Sequence, residues 1–223
     1  MSEPNEQPVP RTNLHIDGNT VASNPGRVRV QWTHYYRCYP TILFIFVIAL
    51  IAALSIATVP HFVKVREADP YYAMSGLGVV VVLFFGWSWL TLPRAKMMEG
   101  DTCPAVVLDP ANGWIAVFAD MTTSPGERFV PAIKVMRAPL HRSGRGSFAT
   151  GERISTVALY EGNSYDGPPL HWSNFFPTPV VCATRDEAEI QRSLASVDEI
   201  EWRLLEDNLE QLPTPYQKVV RFL

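Results

Sequence analysis

Two nineteen-residue runs without a charged side chain constrain this sequence most: residues 41–59 (TILFIFVIALIAALSIATV) and 74–92 (MSGLGVVVVLFFGWSWLTL). A helix of that length rises roughly 28 Å, close to the hydrocarbon thickness of a bilayer. A buried helix of a soluble domain is usually shorter and keeps a polar face. The β-branched stretch 79–82 has strand character, but its apolar continuation far exceeds a typical strand of ~5–6 residues. Both runs therefore read as transmembrane helices, and the short connection 60–73 makes them a hairpin over residues 41–92. Forty residues precede the first run and Pro60-His61 follows it, so neither reads as a cleaved signal peptide.

Average composition conceals this. At 47% hydrophobic and 18% charged, the 223 residues resemble an ordinary soluble protein, because the apolar excess is confined to the two runs. The flanks suit an interface: Trp32, Tyr35, Tyr36 and Tyr39 precede the first run, Tyr71 and Tyr72 precede the second, and Trp87 and Trp89 lie at its far end. Amphipathic aromatics prefer headgroup depth. Ala49, Ala53 and Ala57 share one helix face, as do Gly78 and Gly86. Small residues permit the close backbone approach on which helix association in lipid depends, so these two faces are expected to pack together. Association with a second copy through one of them is the alternative.

Basic residues set the expected orientation. Arg27, Arg29, Arg37, Arg94 and Lys96 flank the hairpin outside, against Lys64 and Arg66 in the connection, which places both termini in the cytoplasm of a multi-pass cell-membrane protein. The spans contain no Asp, Glu, Lys, Arg or His, which ion and proton pathways normally need, so they read as an anchor.

Residues 1–26 are polar and broken by Pro4, Pro8, Pro10 and Pro25, the pattern of a disordered tail. Residues 27–40 suit a juxtamembrane segment or an edge strand added to the C-terminal domain. Residues 93–100 read as a linker. Residues 101–223 then form a cytoplasmic β-rich domain. Strands are expected at 103–108 and 114–118 around the turn Asp109-Pro-Ala-Asn-Gly113, then at 129–137, 153–160 and 179–182, with 171–176 weaker. Two capping boxes, Thr184 with Glu187 and Ser196 with Glu199, announce two C-terminal helices, the second over 197–212. Its face of Val197, Ile200, Leu204, Leu205, Leu209 and Leu212 should pack on the sheet, leaving Glu199, Arg203, Glu206 and Glu210 in solvent. The expected fold is thus a membrane α-helical hairpin plus an α+β domain, a small β-barrel or β-sandwich with C-terminal helices.

Chemistry is sparse. Cys38, Cys103 and Cys182 lack metal-ligand spacing, the five histidines are scattered, and no phosphate loop or dinucleotide fingerprint is present. No catalytic, cofactor-binding or metal residues are therefore assigned, and no cofactor is expected. Arg142 and Arg145, among the glycines of Ser143-Gly-Arg-Gly-Ser147, suit a hairpin tip or an anionic contact. If a catalytic site exists, its best components are Asp101, Asp109, Asp120, His141 and His171, each at a strand end or in a loop. Residues 101–223 hold sixteen acidic against eleven basic side chains, which argues against nucleic acid as partner.

The paired apolar runs, the segment Gly-Asp-Thr-Cys-Pro-Ala-Val-Val at 100–107 and the strand Trp-Ile-Ala-Val-Phe-Ala-Asp at 114–120 carry a resemblance. Over residues 30–212 the chain resembles uncharacterised bacterial membrane proteins that tether a small β domain by a helical hairpin. The resemblance implies no catalytic residues. The leading expectation is a non-catalytic membrane-tethered adaptor that presents its β domain to membrane or cytoplasmic proteins. The rivals are a membrane-anchored enzyme with its site in the β domain and a structural subunit of a larger complex; self-association fits any of the three.

Overall fold

The computed structural model describes residues 14–16, 19–56, 69–123, 129–163 and 171–223. In chain order the elements are β1 (Leu14–Ile16), β2 (Asn19–Val21), α1 (Trp32–Cys38), α2 (Pro40–Ser55), α3 (Asp69–Glu99), β3 (Asp101–Asp109), β4 (Trp114–Asp120), β5 (Pro131–Arg137), β6 (Arg153–Asn163), β7 (Trp172–Pro179), α4 (Val180–Ala183), α5 (Glu187–Ala195), α6 (Glu199–Glu206) and β8 (Val219–Phe222). They form two units, Tyr39–Arg94 and Met1–Cys38 together with Ala95–Leu223.

The larger unit is α+β. Its six strands make one antiparallel sheet in the order β7-β6-β3-β4-β5-β8. The β3–β4 hairpin is set by its turn: Asp109 Oδ1 accepts the N–H groups of Ala111 and Asn112, and Gly113 takes φ +68°. A Cβ at position 113 would also run into the Ala138 carbonyl, so glycine is required there twice over. One face of the sheet buries Val106, Leu108, Ala116, Phe118, Ile133 and Val135 against Trp202 and Leu205 of α6 and against Val197 and Leu212. Burial of such side chains is worth ~1.5–3 kcal/mol each, enough to hold a two-turn helix that would not persist alone.

The segment before α1 is part of this unit. Gly26 N–H donates to Gly100 O at 2.9 Å, Val28 N–H to Met97 O at 3.0 Å and Thr102 N–H to Asn24 O at 2.8 Å. Backbones meet this closely because position 100 has no side chain; a Cβ there would sit 2.6 Å from Ala158 O. Next, α1 packs on α4, with His34 Nε2 at 2.9 Å from Val181 O and with Tyr35 and Cys38 buried.

In the smaller unit α2 starts with Pro40 in its first turn, where a missing N–H is harmless. Ser75 Oγ on α3 donates to Ala53 O on α2 at 2.9 Å. Hydroxyls within the apolar runs also turn back on their own helix, Ser55 to Ile51 O and Thr91 to Trp87 O. Taken as a single helix, α3 is long and apolar enough, from Met74 to Glu99, to cross a membrane. The described part of the first run, α2, is sixteen residues long.

Several expectations need correction. The domain is neither a closed barrel nor a sandwich but one curled sheet, a half-barrel, with helices. Residues 93–99 are helical, with Met97 fully buried, so the segment expected as a linker belongs largely to α3. Residues 27–40 supply a helix, α1, and no edge strand. Of residues 179–182, expected as strand, Pro179 ends β7 and the other three lie in α4, and the weaker neighbour is the true strand β7. All four α4 side chains are buried, so its β-branched pair obeys packing on every side and not pleat alternation. Asp186 and Asp198 cap α5 and α6, displacing Thr184 and Ser196, because their carboxylates reach the free N–H groups of the first turn. The second helix stops at Glu206, with a 3-10 turn at Leu209–Gln211. Glu199 is exposed as expected and Glu206 is half-buried, and both pair with Arg153.

Candidate functional site

The curl of the sheet brings chemistry-bearing side chains together from distant strands. Ala105, Val117 and Lys134 are register partners across β3, β4 and β5, and Ile154 pairs with Ala105 from β6, so these four share the face away from α6. Lys134 then spans the open side. Its Nζ donates to Asn174 Oδ1 at 2.8 Å and to the Phe175 carbonyl on β7, and it stands 4.8 Å from the Phe176 ring centroid. Three strands separate β5 from β7 in the sheet, so only strong curvature permits this contact. Burial pulls the Lys134 ammonium below the usual lysine range.

At the other end of this face lie Asp101, Cys103 and Tyr160. Asp101 Oδ2 accepts the Tyr160 phenol at 3.0 Å, and Oδ1 accepts Asn24 N–H at 3.1 Å. Cys103 Sγ lies 3.6 Å from Asp101 O and 3.9 Å from Tyr160 Oη. Burial, reinforced by the nearby carboxylate, pushes both the Cys103 thiol and the Tyr160 phenol well above their ordinary values. A thiol held protonated is a poor nucleophile, and a phenol so placed is a poor proton shuttle near neutral pH. What the trio does is fasten residue 24 to β3 and β3 to β6: it is a latch.

The other sequence candidates go separate ways. Asp109 is half-buried in its turn, and Asn112, through its side chain at 2.7 Å and its backbone N–H, holds the carboxyl below its ordinary range. Asp120 is buried; burial raises its pKa, although Oδ1 accepts both the N–H and the hydroxyl of Thr122. Its Oδ2 is buried without a hydrogen-bond partner among the described residues. Thr122 bridges in turn to the backbone of His171, whose ring meets Phe222 edge-on at 4.9 Å. His141 accepts from Arg142 Nε at 3.2 Å on the exposed surface. Among the described residues no three His, Cys, Asp or Glu side chains converge for a metal ion.

The two arginines of the 142–147 segment part company. Arg145 pairs with Glu152 at 3.4 Å and lies over Phe148. Arg142 ends the 3-10 turn Leu140–Arg142, and that turn packs on α1 and α4. Of the helix-packing residues, Ala53 is buried and faces Gly78, where a Cβ would meet it at an ordinary 3.4 Å. Gly86 accommodates the Phe46 ring. Ala49 lines an apolar cleft of about 210 Å³ between α2 and α3. Ala57 lies outside the described residues.

Sequence reasoning passed over Tyr160 and Lys134. Lys134 sits in Pro-Ala-Ile-Lys-Val-Met-Arg, where alternation with Ile133 and Val135 suggests an ordinary solvent-facing position. Its sole signal was a cation at the centre of an apolar strand, flanked on both sides by β-branched residues.

The family described as "Protein of unknown function (DUF3239)" matches residues 93–213, from the end of α3 through the 3-10 turn after α6. A crystal structure of a "putative membrane protein" from Corynebacterium diphtheriae is similar at 25% identity and a TM-score of 0.42, over 50% of this chain and 90% of that chain. No curated protein matches.

Proposed function

The chain belongs to the DUF3239 family of unknown function, and from that premise we propose that it is a non-catalytic membrane-tethered adaptor. In this reading α2 and α3 anchor it as a two-span hairpin with both termini in the cytoplasm, and the half-barrel unit presents a surface to protein partners at the membrane. The observation that carries the proposal is the outward face of the smaller unit. Phe44, Ile51, Leu77, Phe84 and Trp87 are each more than half exposed on helices that carry no charge from residue 41 to 55 or from 74 to 92. In water such a girdle is a large unfavourable apolar surface; in a bilayer it faces its natural solvent. Hydroxyls that turn back onto helix carbonyls support the same environment.

Tethering has a use in itself. Only Gly100 separates α3 from β3, and a tether that short in sequence raises the effective concentration of the sheet toward membrane-bound partners. The non-catalytic part rests on the latch, whose thiol and phenol are both held protonated. Affinity purification of the full chain in mild detergent tests the reading. A stoichiometric protein partner is expected. A lone monomer that retains a small molecule would replace the adaptor by an enzyme.

A further inference from the structure

Three elements of the larger unit bring arginines to one place. Arg37 lies in the last turn of α1, Arg142 ends the 3-10 turn that packs on α1, and Arg185 follows α4. The fixed point is His34. Its Nε2 lies 2.9 Å from Val181 O, and its Nδ1 accepts Arg185 Nε at 3.1 Å, which holds the Arg185 guanidinium against α1 one turn before Arg37. On its other side that guanidinium borders Gly144, where a Cβ would stand 3.1 Å from Arg185 Nη2, two residues from Arg142. All three arginines are exposed. None has an ion pair among the described residues, whereas Arg145 is paired with Glu152 and Arg153 with Glu199 and Glu206. The carboxylate nearest in sequence, Asp186, is occupied in capping α5. The Cys38 thiol is lowered chiefly by its hydrogen bond with Cys182, and the three guanidinium groups add to that in the same direction, which agrees with their lying on one side of it.

We propose that Arg37, Arg142 and Arg185 form a seat for the phosphate of an anionic phospholipid headgroup. The inference rests on the membrane reading for its choice of partner. Arg37 stands four residues before the first uncharged run, and α1 carries Trp32 stacked on Tyr36 at 6.0 Å, an aromatic pair suited to headgroup depth. Guanidinium forks match phosphate oxygens bidentately, and a cluster with no ion pair among the described residues gains most from an anionic leaflet. The structure also revises the pair suggested by sequence: Arg142 belongs to the seat, and Arg145 does not.

The test uses the full chain in non-ionic detergent at low salt, with dioctanoyl-phosphatidylglycerol, dioctanoyl-phosphatidylcholine and inorganic phosphate as probes, followed by tryptophan fluorescence. Phosphatidylglycerol should bind at least roughly tenfold more tightly than phosphatidylcholine, and the preference should vanish in an Arg37→Glu/Arg142→Glu double variant and weaken with salt. Arg145→Glu should keep it, and both variants should melt near the wild-type temperature. Arg185→Gln, which spares the fold from a charge reversal beside His34, should lose part of the preference. Equal binding of the two lipids, equal loss in Arg145→Glu, or competition by phosphate as strong as by the lipid would overturn the proposal. Alkaline carbonate extraction of cell membranes reads the membrane assignment separately, because lipid preference in detergent does not depend on it.

Discussion

The ring of Phe46 on α2 fills the space that a side chain at Gly86 on α3 would need; a Cβ built there overlaps Phe46 Cε2. This fixes the facing sides of the two helices without any polar anchor at that level. Gly86→Leu should therefore lower thermal stability in detergent by several degrees, and Gly86→Ala combined with Phe46→Ala should recover much of the loss. Ala53→Leu, beside Gly78 and the Ser75 bond, should act in the same direction. Unchanged melting in all three would mean that these faces point to lipid.

The latch makes a second prediction. Tyr160→Phe withdraws the phenol that donates to the buried Asp101 carboxylate and should cost ~1–3 kcal/mol of unfolding free energy. A double-mutant cycle with Asp101→Asn should show coupling on the order of 1 kcal/mol, measured by denaturant titration. Additive effects would mean that the pair merely sits together.

The clamp between β6 and α6 predicts a pH dependence. Arg153 Nε donates to Glu206 Oε1 at 2.6 Å and its guanidinium lies over Trp202, and this bond holds the Glu206 carboxyl below its ordinary range. A depressed folded-state pKa stabilises the fold above the unfolded carboxylate pKa, and the gain is lost as pH falls through the folded value. Wild type should thus exceed Glu206→Gln by on the order of 1 kcal/mol at neutral pH, a modest figure because the pair is partly open to water. The gap should close on acidification. A gap that persists in acid would assign the effect to packing on Trp202.

Much of this was legible because local chemistry and tertiary demand agree. The turn from Asp109 to Gly113 and the strands around it follow from residues that tolerate little else. The apolar runs announced helices. Other features were decided at long range. Val180–Ala183 looks β-branched and is helical because it is buried on every side. β8 pairs with β5 through Val219–Phe222, a four-residue run whose partner strand lies far away in sequence. The arginine seat draws on residues 37, 142 and 185, and its organiser, His34, gave no local sign of a role. Nor could alternation reveal that Lys134 faces across the half-barrel, because that depends on curvature.

The central claim, a two-span anchor with the half-barrel unit in the cytoplasm, is met most directly by cysteine accessibility in intact cells. The three native cysteines are buried, so single cysteines replacing Asp69 and the exposed Ala111 report cleanly. The account predicts that a membrane-impermeant maleimide labels Asp69→Cys from outside and reaches Ala111→Cys only after permeabilisation. Labelling of Ala111→Cys in intact cells, with Asp69→Cys protected, would contradict it.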